Sequence, residues 1–292
     1  MKVADILEIS ELRASRPEAI REAAATRRRG PRIAANGRVM LLAADHAARG
    51  ALSVRDMPQA MSNRRELLSR LVEALSRPGV DGVMGSADIL EDLLLLGALE
   101  DKAVFATMNR GGLLGSSFEL DDRFTAYDAR QIDEMKFDGG KMLTRIDYDD
   151  IGTVATLEAC GHHISALAGR GLVAMVEPFI SRRSNEKVKN DLSPEAVMLS
   201  MAIASGLGNT SAYTWLKVPV VDDMERVMTA TTLPTVLLGG DPTAAADETY
   251  AKWASAVLQP GVIGLVVGRT LLYPPDDDVT GAVDTAVRLV HG

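Results

Sequence analysis

Leu172-Val173-Ala174-Met175-Val176-Glu177-Pro178 and Tyr213-Thr214-Trp215-Leu216-Lys217-Val218-Pro219 are short, mostly apolar runs in which an ionisable residue appears just before or beside a proline. Each is too short for a typical helix and too continuously apolar for a strand with one wet face. Parallel strands covered by helices have this pattern. Working outward, six more runs read the same way: Val39–Ala44, Val80–Met84, Val104–Met108, Lys141–Ile146, Thr235–Leu238 and Ile263–Val267. Helical segments separate them. Eight consecutive βα units predict an α/β fold, a closed (β/α)8 TIM barrel rather than an open doubly wound sheet.

The chain of 292 residues suits one such barrel. Residues 1–292 therefore read as a single domain, with 1–37 as an N-terminal helical extension and 38–292 as the barrel. In the extension, Pro17-Glu18-Ala19 opens a helix, and Arg27, Arg28 and Arg29 sit before the stop Gly30-Pro31. Those arginines are expected to complement the negative end of the helix dipole, and the extension to cap the barrel's bottom. Two connections on the C-terminal side of the strands are long. Residues 109–123 carry Gly111-Gly112 and Gly115-Ser116-Ser117, and residues 178–194 carry Arg182, Arg183, Lys187 and Lys189. Loops at that end of a barrel bind substrates.

The formal net charge of −8 argues against nucleic acid or an anionic membrane as partner. A small anion remains possible, because a few local cations suffice to hold it. The single cysteine, Cys160, allows no internal disulfide and fits a reducing cytoplasm. The start lacks the apolar core of a signal peptide, and no stretch is long and apolar enough to span a bilayer. A cytoplasmic protein is the expectation.

In a barrel, polar residues at the C-terminal ends of the strands face the reaction centre. Four strands carry such groups: Asp45, Lys141, Glu177 and Lys217. A lysine among apolar neighbours loses hydration, so its pKa falls and more free amine is present. A second cation adds to that fall. Amine, acid and base together can run Schiff-base chemistry. The same residues also fit a blander role, with Lys217 snorkelling at a strand edge, Glu177 in a structural ion pair, and Asp45 capping a helix or pairing with an arginine. Leu237-Leu238-Gly239-Gly240-Asp241 and Val266-Val267-Gly268-Arg269-Thr270 end the last two strands, where this fold repeatedly binds phosphate. Tight turns alone would also favour glycine there. Among His46, His162, His163 and His291, only His46 falls near these ends, so no metal is expected. No dinucleotide or Walker loop appears, so no cofactor is expected.

Taken together, these motifs resemble the class I aldolases of the DeoC/LacD type over roughly residues 38–272. Leu41-Leu-Ala-Ala-Asp-His46 is similar to that family's first-strand motif, and Gly140-Lys-Met-Leu143 to its fourth-strand motif. Val176-Glu-Pro178 resembles its fifth strand, and Trp215-Leu-Lys-Val-Pro219 its lysine-bearing sixth. The resemblance implies that Lys217 forms the imine and Glu177 moves protons. It implies that Asp45 and Lys141 orient the substrate, and that Gly239, Gly240, Gly268 and Arg269 hold a phosphate. Within the family, the chain resembles an actinobacterial branch linked with inositol catabolism. That implies cleavage of 5-dehydro-2-deoxy-phosphogluconate to dihydroxyacetone phosphate and malonate semialdehyde by a homo-oligomer, with Arg182 or Arg183 on the substrate's carboxylate. Sulfosugar-phosphate or ketose-bisphosphate cleavage, a transaldolase-like transfer and a noncatalytic sugar-phosphate sensor are the alternatives.

Overall fold

The computed structural model describes residues 5–184, 187–240 and 246–292. Its strands are β1 (Val39–Ala44), β2 (Gly82–Gly85), β3 (Ala103–Thr107), β4 (Gly139–Ile146), β5 (Val173–Ser184), β6 (Lys187–Asn190), β7 (Thr214–Pro219), β8 (Thr235–Leu238) and β9 (Val262–Val267). Eight of them pair in parallel in the order β4-β3-β2-β1-β9-β8-β7-β5, and a β4–β5 pairing closes the ring. This is the expected (β/α)8 barrel, and β6 stands outside it as an antiparallel partner of the end of β5.

Side-chain alternation along the strands creates two cores. Val39, Leu41, Phe105, Met175, Trp215, Val236 and Val266 point inward and fill the barrel. Met40, Leu42, Val104, Met142, Val176, Leu216 and Leu265 belong to the larger cluster packed between barrel and helices. Burial on both faces explains why the strands are continuously apolar. Among the described residues no helix is long and apolar enough to cross a membrane.

Several strands shift by one or two residues from the expected boundaries, and the departures of β4 and β5 have a physical reason. β4 begins at Gly139, two residues before the expected Lys141, because both glycines are needed within the strand. A Cβ on Gly139 would lie 2.3 Å from the carbonyl oxygen of Val173, and one on Gly140 would lie 2.3 Å from Sδ of Met108. Of the segment 178–194, expected as a loop, residues 178–184 prolong β5 and Lys187–Asn190 form β6. β4 pairs with β5 as far as Ile146 opposite Ile180, and then Ser181 pairs with Asn190 of β6.

The N-terminal helices also sit differently from expectation. Helices Glu8–Ser15 and Ala19–Thr26 lie on the outer layer against helix Ala87–Leu95, where Arg13 Nε donates to Asp92 at 2.9 Å. The connecting segment, rather than the helices, closes the bottom. Arg27, Arg28 and Arg29 do not simply end a helix. Arg27 is buried and donates to the carbonyl oxygens of Leu99, Lys102 and Lys136. Arg28 pairs with Asp101, and Arg29 with Asp138 at 2.7 Å. Asp138, just before β4, also accepts from the Val104 amide at 2.9 Å and faces Arg27 at 3.7 Å.

Removing the Asp138 carboxylate strands a buried guanidinium and a buried amide at once. Asp138→Ala is expected to cost about 3–5 kcal/mol in urea unfolding. A loss below about 1 kcal/mol would show that the floor does not depend on it.

Candidate active site

The inward alternation that fills the barrel continues upward and turns polar at its mouth. Above Phe105 comes Thr107, above Met175 comes Glu177, above Trp215 comes Lys217, and β4 contributes Lys141, Leu143 and Arg145. Asp45 follows β1 with the same parity. Phe105 and Trp215, with ring centroids 5.5 Å apart, are the apolar layer directly below.

The four ionisable residues expected from the sequence do meet. Glu177 binds two lysines, one on each carboxylate oxygen: Lys217 Nζ on Oε1 and Lys141 Nζ on Oε2. Lys141 also reaches Asp45 at 3.3 Å, and Asp45 accepts from Thr107 at 2.9 Å. All four are buried, Lys141 completely and Lys217 with 5% exposure. Burial drives the Lys217 pKa below its usual value against the pull of Glu177. Burial lowers Lys141 further, assisted by the nearby Arg110 charge. Burial alone would raise Glu177, but the two lysines outweigh it and hold the carboxylate below its usual range.

A cavity of about 570 Å³ opens above this cluster, large enough for a small metabolite. Asp45, Glu177 and Lys217 line it, and Lys141 lies beneath, outside its lining. Gly239, Gly240, Gly268 and Arg269 line it as well. Gly240 has φ +71°, a conformation that favours glycine. At Gly268 a Cβ would lie 2.4 Å from the Ala43 carbonyl oxygen and 2.7 Å from the His46 ring. His46 also lines the cavity, with its buried Nδ1 lacking a hydrogen-bond partner among the described residues. Burial and the Arg269 charge push its pKa well down, so the ring is neutral. Asp241 lies outside the described residues.

Arg182 is not brought into the site. It is exposed on the β5–β6 hairpin opposite Lys189 and absent from the cavity wall. Arg183 instead donates to the Ser117 carbonyl oxygen at 2.8 Å, tying the hairpin to the segment after β3. The cations that do line the wall include three that sequence reasoning missed: Arg49, Arg110 and Arg145. Arg110 pairs with Asp45, and burial lowers its pKa to about 10. Arg145 is held by Asp122 and Glu119. Asn109 clamps the same segment, donating to Leu143 at 2.6 Å and accepting from its amide at 2.8 Å. Arg145 has the parity of Lys141, a signal present in the sequence. Arg49 and Arg110 lie in irregular segments where no period points them inward.

The Cgl0159-like family model matches residues 37–287. The crystal structure of Cgl0159 from Corynebacterium glutamicum is 52% identical, with 100% of this chain and 98% of that chain covered and a TM-score of 0.96. A Schiff base-forming fructose-1,6-bisphosphate aldolase is 19% identical, covering 93% of this chain and 100% of that one at TM-score 0.66. An archaeal fructose-1,6-bisphosphate aldolase, solved with its catalytic lysine covalently bound to the carbinolamine intermediate of its substrate, is 18% identical. There 94% of this chain and 100% of that one are covered, at TM-score 0.68. At these identities the likeness to the aldolases is one of fold. No curated protein matches the chain.

Glu177→Gln would leave two buried ammonium groups without their shared anion. The variant is expected to lose about 3–5 kcal/mol near pH 7. The deficit should shrink as pH rises. A lysine whose folded pKa lies below its unfolded value of 10.5 destabilises most below the folded pKa and stops doing so above the unfolded one. Urea unfolding across pH 7–10 measures this, and a deficit independent of pH would contradict the assignment.

Proposed function

The chain belongs to the Cgl0159-like family, and from that premise we propose that it is a class I aldolase of the DeoC/LacD type in which Lys217 forms the Schiff base. The observation that carries this reading is a single buried carboxylate, Glu177, shared by two desolvated lysines, only one of which borders the cavity. Desolvation favours the neutral amine that a ketone requires. Lys217 has that access, and Lys141 is sealed under Glu177.

The steps follow from these positions. Lys217 passes a proton to Glu177 along their hydrogen bond, and the free amine adds to the ketone carbon. The carbinolamine loses water to give an iminium. Glu177, again a carboxylate, takes the proton from the hydroxyl on the carbon beyond the scissile bond. That bond breaks, an aldehyde leaves, and its electron pair is held as an enamine. Reprotonation of the enamine carbon and addition of water release the ketone and restore the lysine. Lys141, kept close to Glu177 and Asp45, supplies positive charge that favours each return of Glu177 to its ionised form. Asp45, fixed by Arg110 and Thr107, orients substrate hydroxyls.

The substrate in this reading is a phosphorylated keto sugar or keto sugar acid. Its phosphate sits on the turns at Gly239, Gly240 and Gly268 beside Arg269. The family resemblance points to 5-dehydro-2-deoxy-phosphogluconate, cleaved to dihydroxyacetone phosphate and malonate semialdehyde.

Borohydride added with dihydroxyacetone phosphate should fix the ketone to Lys217, located by peptide mass mapping. The trapping rate should rise with pH through a pKa below 10.5. Glu177→Gln should lower turnover by roughly 10²–10⁴-fold. An adduct on Lys141 would reassign the nucleophile, and no adduct at any pH would overturn the aldolase reading.

A further inference from the structure

Arg49 ends the short turn Ala47–Arg49 that follows β1, and its carbonyl oxygen accepts from the Leu114 amide at 2.9 Å. That bond pins the turn against the segment after β3. The guanidinium lines the cavity and has no hydrogen-bond or ion-pair partner among the described residues. Its neighbours on the wall are already answered, Arg110 by Asp45 and Arg145 by Asp122 and Glu119. Arg49 is therefore a half-buried cation with no direct ion-pair partner among the described residues. Such a group is costly unless something else supplies the anion.

The position of this cation defines what that anion is part of. The charges closest in effect to Arg49 are Arg145, Asp122 and Glu119, all carried by β4 or the segment between β3 and β4. In the closed ring, β3 and β4 stand three or four strands from β8 and β9, across the mouth from the glycine turns. Glu177 and Lys217 lie between the two walls. Lys189 and Asn190 of the hairpin line the same cavity.

We propose that Arg49 binds an oxyanion at the end of the ligand remote from the glycine turns, so that the cavity takes a chain with an anion at each end. This rests on reading those turns as the phosphate site. A guanidinium fork fits a planar carboxylate best, and a sulfonate or phosphate shares the same chemistry.

Probes without a ketone test this apart from any lysine chemistry. Calorimetry would compare 6-phosphogluconate, glucitol 6-phosphate and glucitol 1,6-bisphosphate. Wild-type protein should bind 6-phosphogluconate about 10- to 100-fold more tightly than glucitol 6-phosphate, the value of one charge-assisted contact. Arg49→Ala should abolish that advantage and leave the Kd of glucitol 6-phosphate as it was, and Arg49→Lys should retain part of it. Whichever doubly charged probe loses more affinity identifies the preferred anion as carboxylate or phosphate. Equal weakening of all three probes in Arg49→Ala, or no wild-type preference for a second anion, would overturn the proposal. If no borohydride adduct forms but the probes behave as expected, the aldolase reading falls and the Arg49 site stands. If no probe binds, both the second site and the phosphate turns fall.

Discussion

One carboxylate stands between two lysines inside an apolar tube, and the rest of the site is arranged around that fact. Glu177 has one oxygen for each ammonium, so each lysine receives about half of a counter-charge. Burial makes both ammonium groups expensive, which is why both amines lose basicity even in contact with a carboxylate. Asp45 answers part of the remaining charge, but it is itself shared between Lys141 and Arg110. Three cations thus meet two carboxylates in a space closed below by Phe105 and Trp215. A cluster with surplus positive charge and little water can shed a proton or accept an anion. Both responses fit the proposed reaction of an anionic ketone.

The barrel makes this arrangement possible by its alternation. Residues two apart on one strand share a face, so Met175 and Glu177 point the same way, as do Trp215 and Lys217. The lower member of each pair keeps water out, and the upper one carries the charge at the mouth. The floor is held from below by a separate ionic knot at Asp138, which ties β3, β4 and the N-terminal segment without touching the mouth. Stability and reactivity therefore reside at opposite ends of the same strands, as expected of this architecture.

The same alternation explains what could be read in advance. Continuous apolar runs ending in Asp45, Glu177 or Lys217 reveal both the strand and the direction of its last side chain, and those residues do converge. The depth of Lys141 is less legible, because it lies near the start of its apolar run. The strand includes both glycines, since a side chain on Gly139 would collide with the backbone of β5. The hairpin was hidden by its composition, because Ser181-Arg182-Arg183-Ser184 has the polarity of a loop and yet forms a ladder with β6. Polarity there reflects an edge exposed to solvent rather than an irregular backbone. Arg182 offers charge in the right loop, but in that ladder it is exposed and lies off the cavity wall. Arg49 and Arg110 escaped notice because direction in a turn is set by tertiary contacts, such as the bond from Leu114 to Arg49, and those are invisible in a local pattern.

Charge on the walls bears on selectivity more directly than the lysines do. A Schiff-base lysine is indifferent to what lies several carbons from the ketone. Discrimination among substrates must therefore come from groups at the ends of the cavity. On the β8–β9 side the proposed groups are bare backbone turns, and on the opposite wall they are arginines. Two of these arginines are already neutralised by protein carboxylates, and their hydrogen bonds hold the wall rigid. Leaving one guanidinium unanswered on an otherwise compensated wall makes the empty cavity less comfortable than the filled one. Under the proposed role of Arg49, that bias raises affinity for a ligand bearing a second anion and gives a neutral one nothing in return.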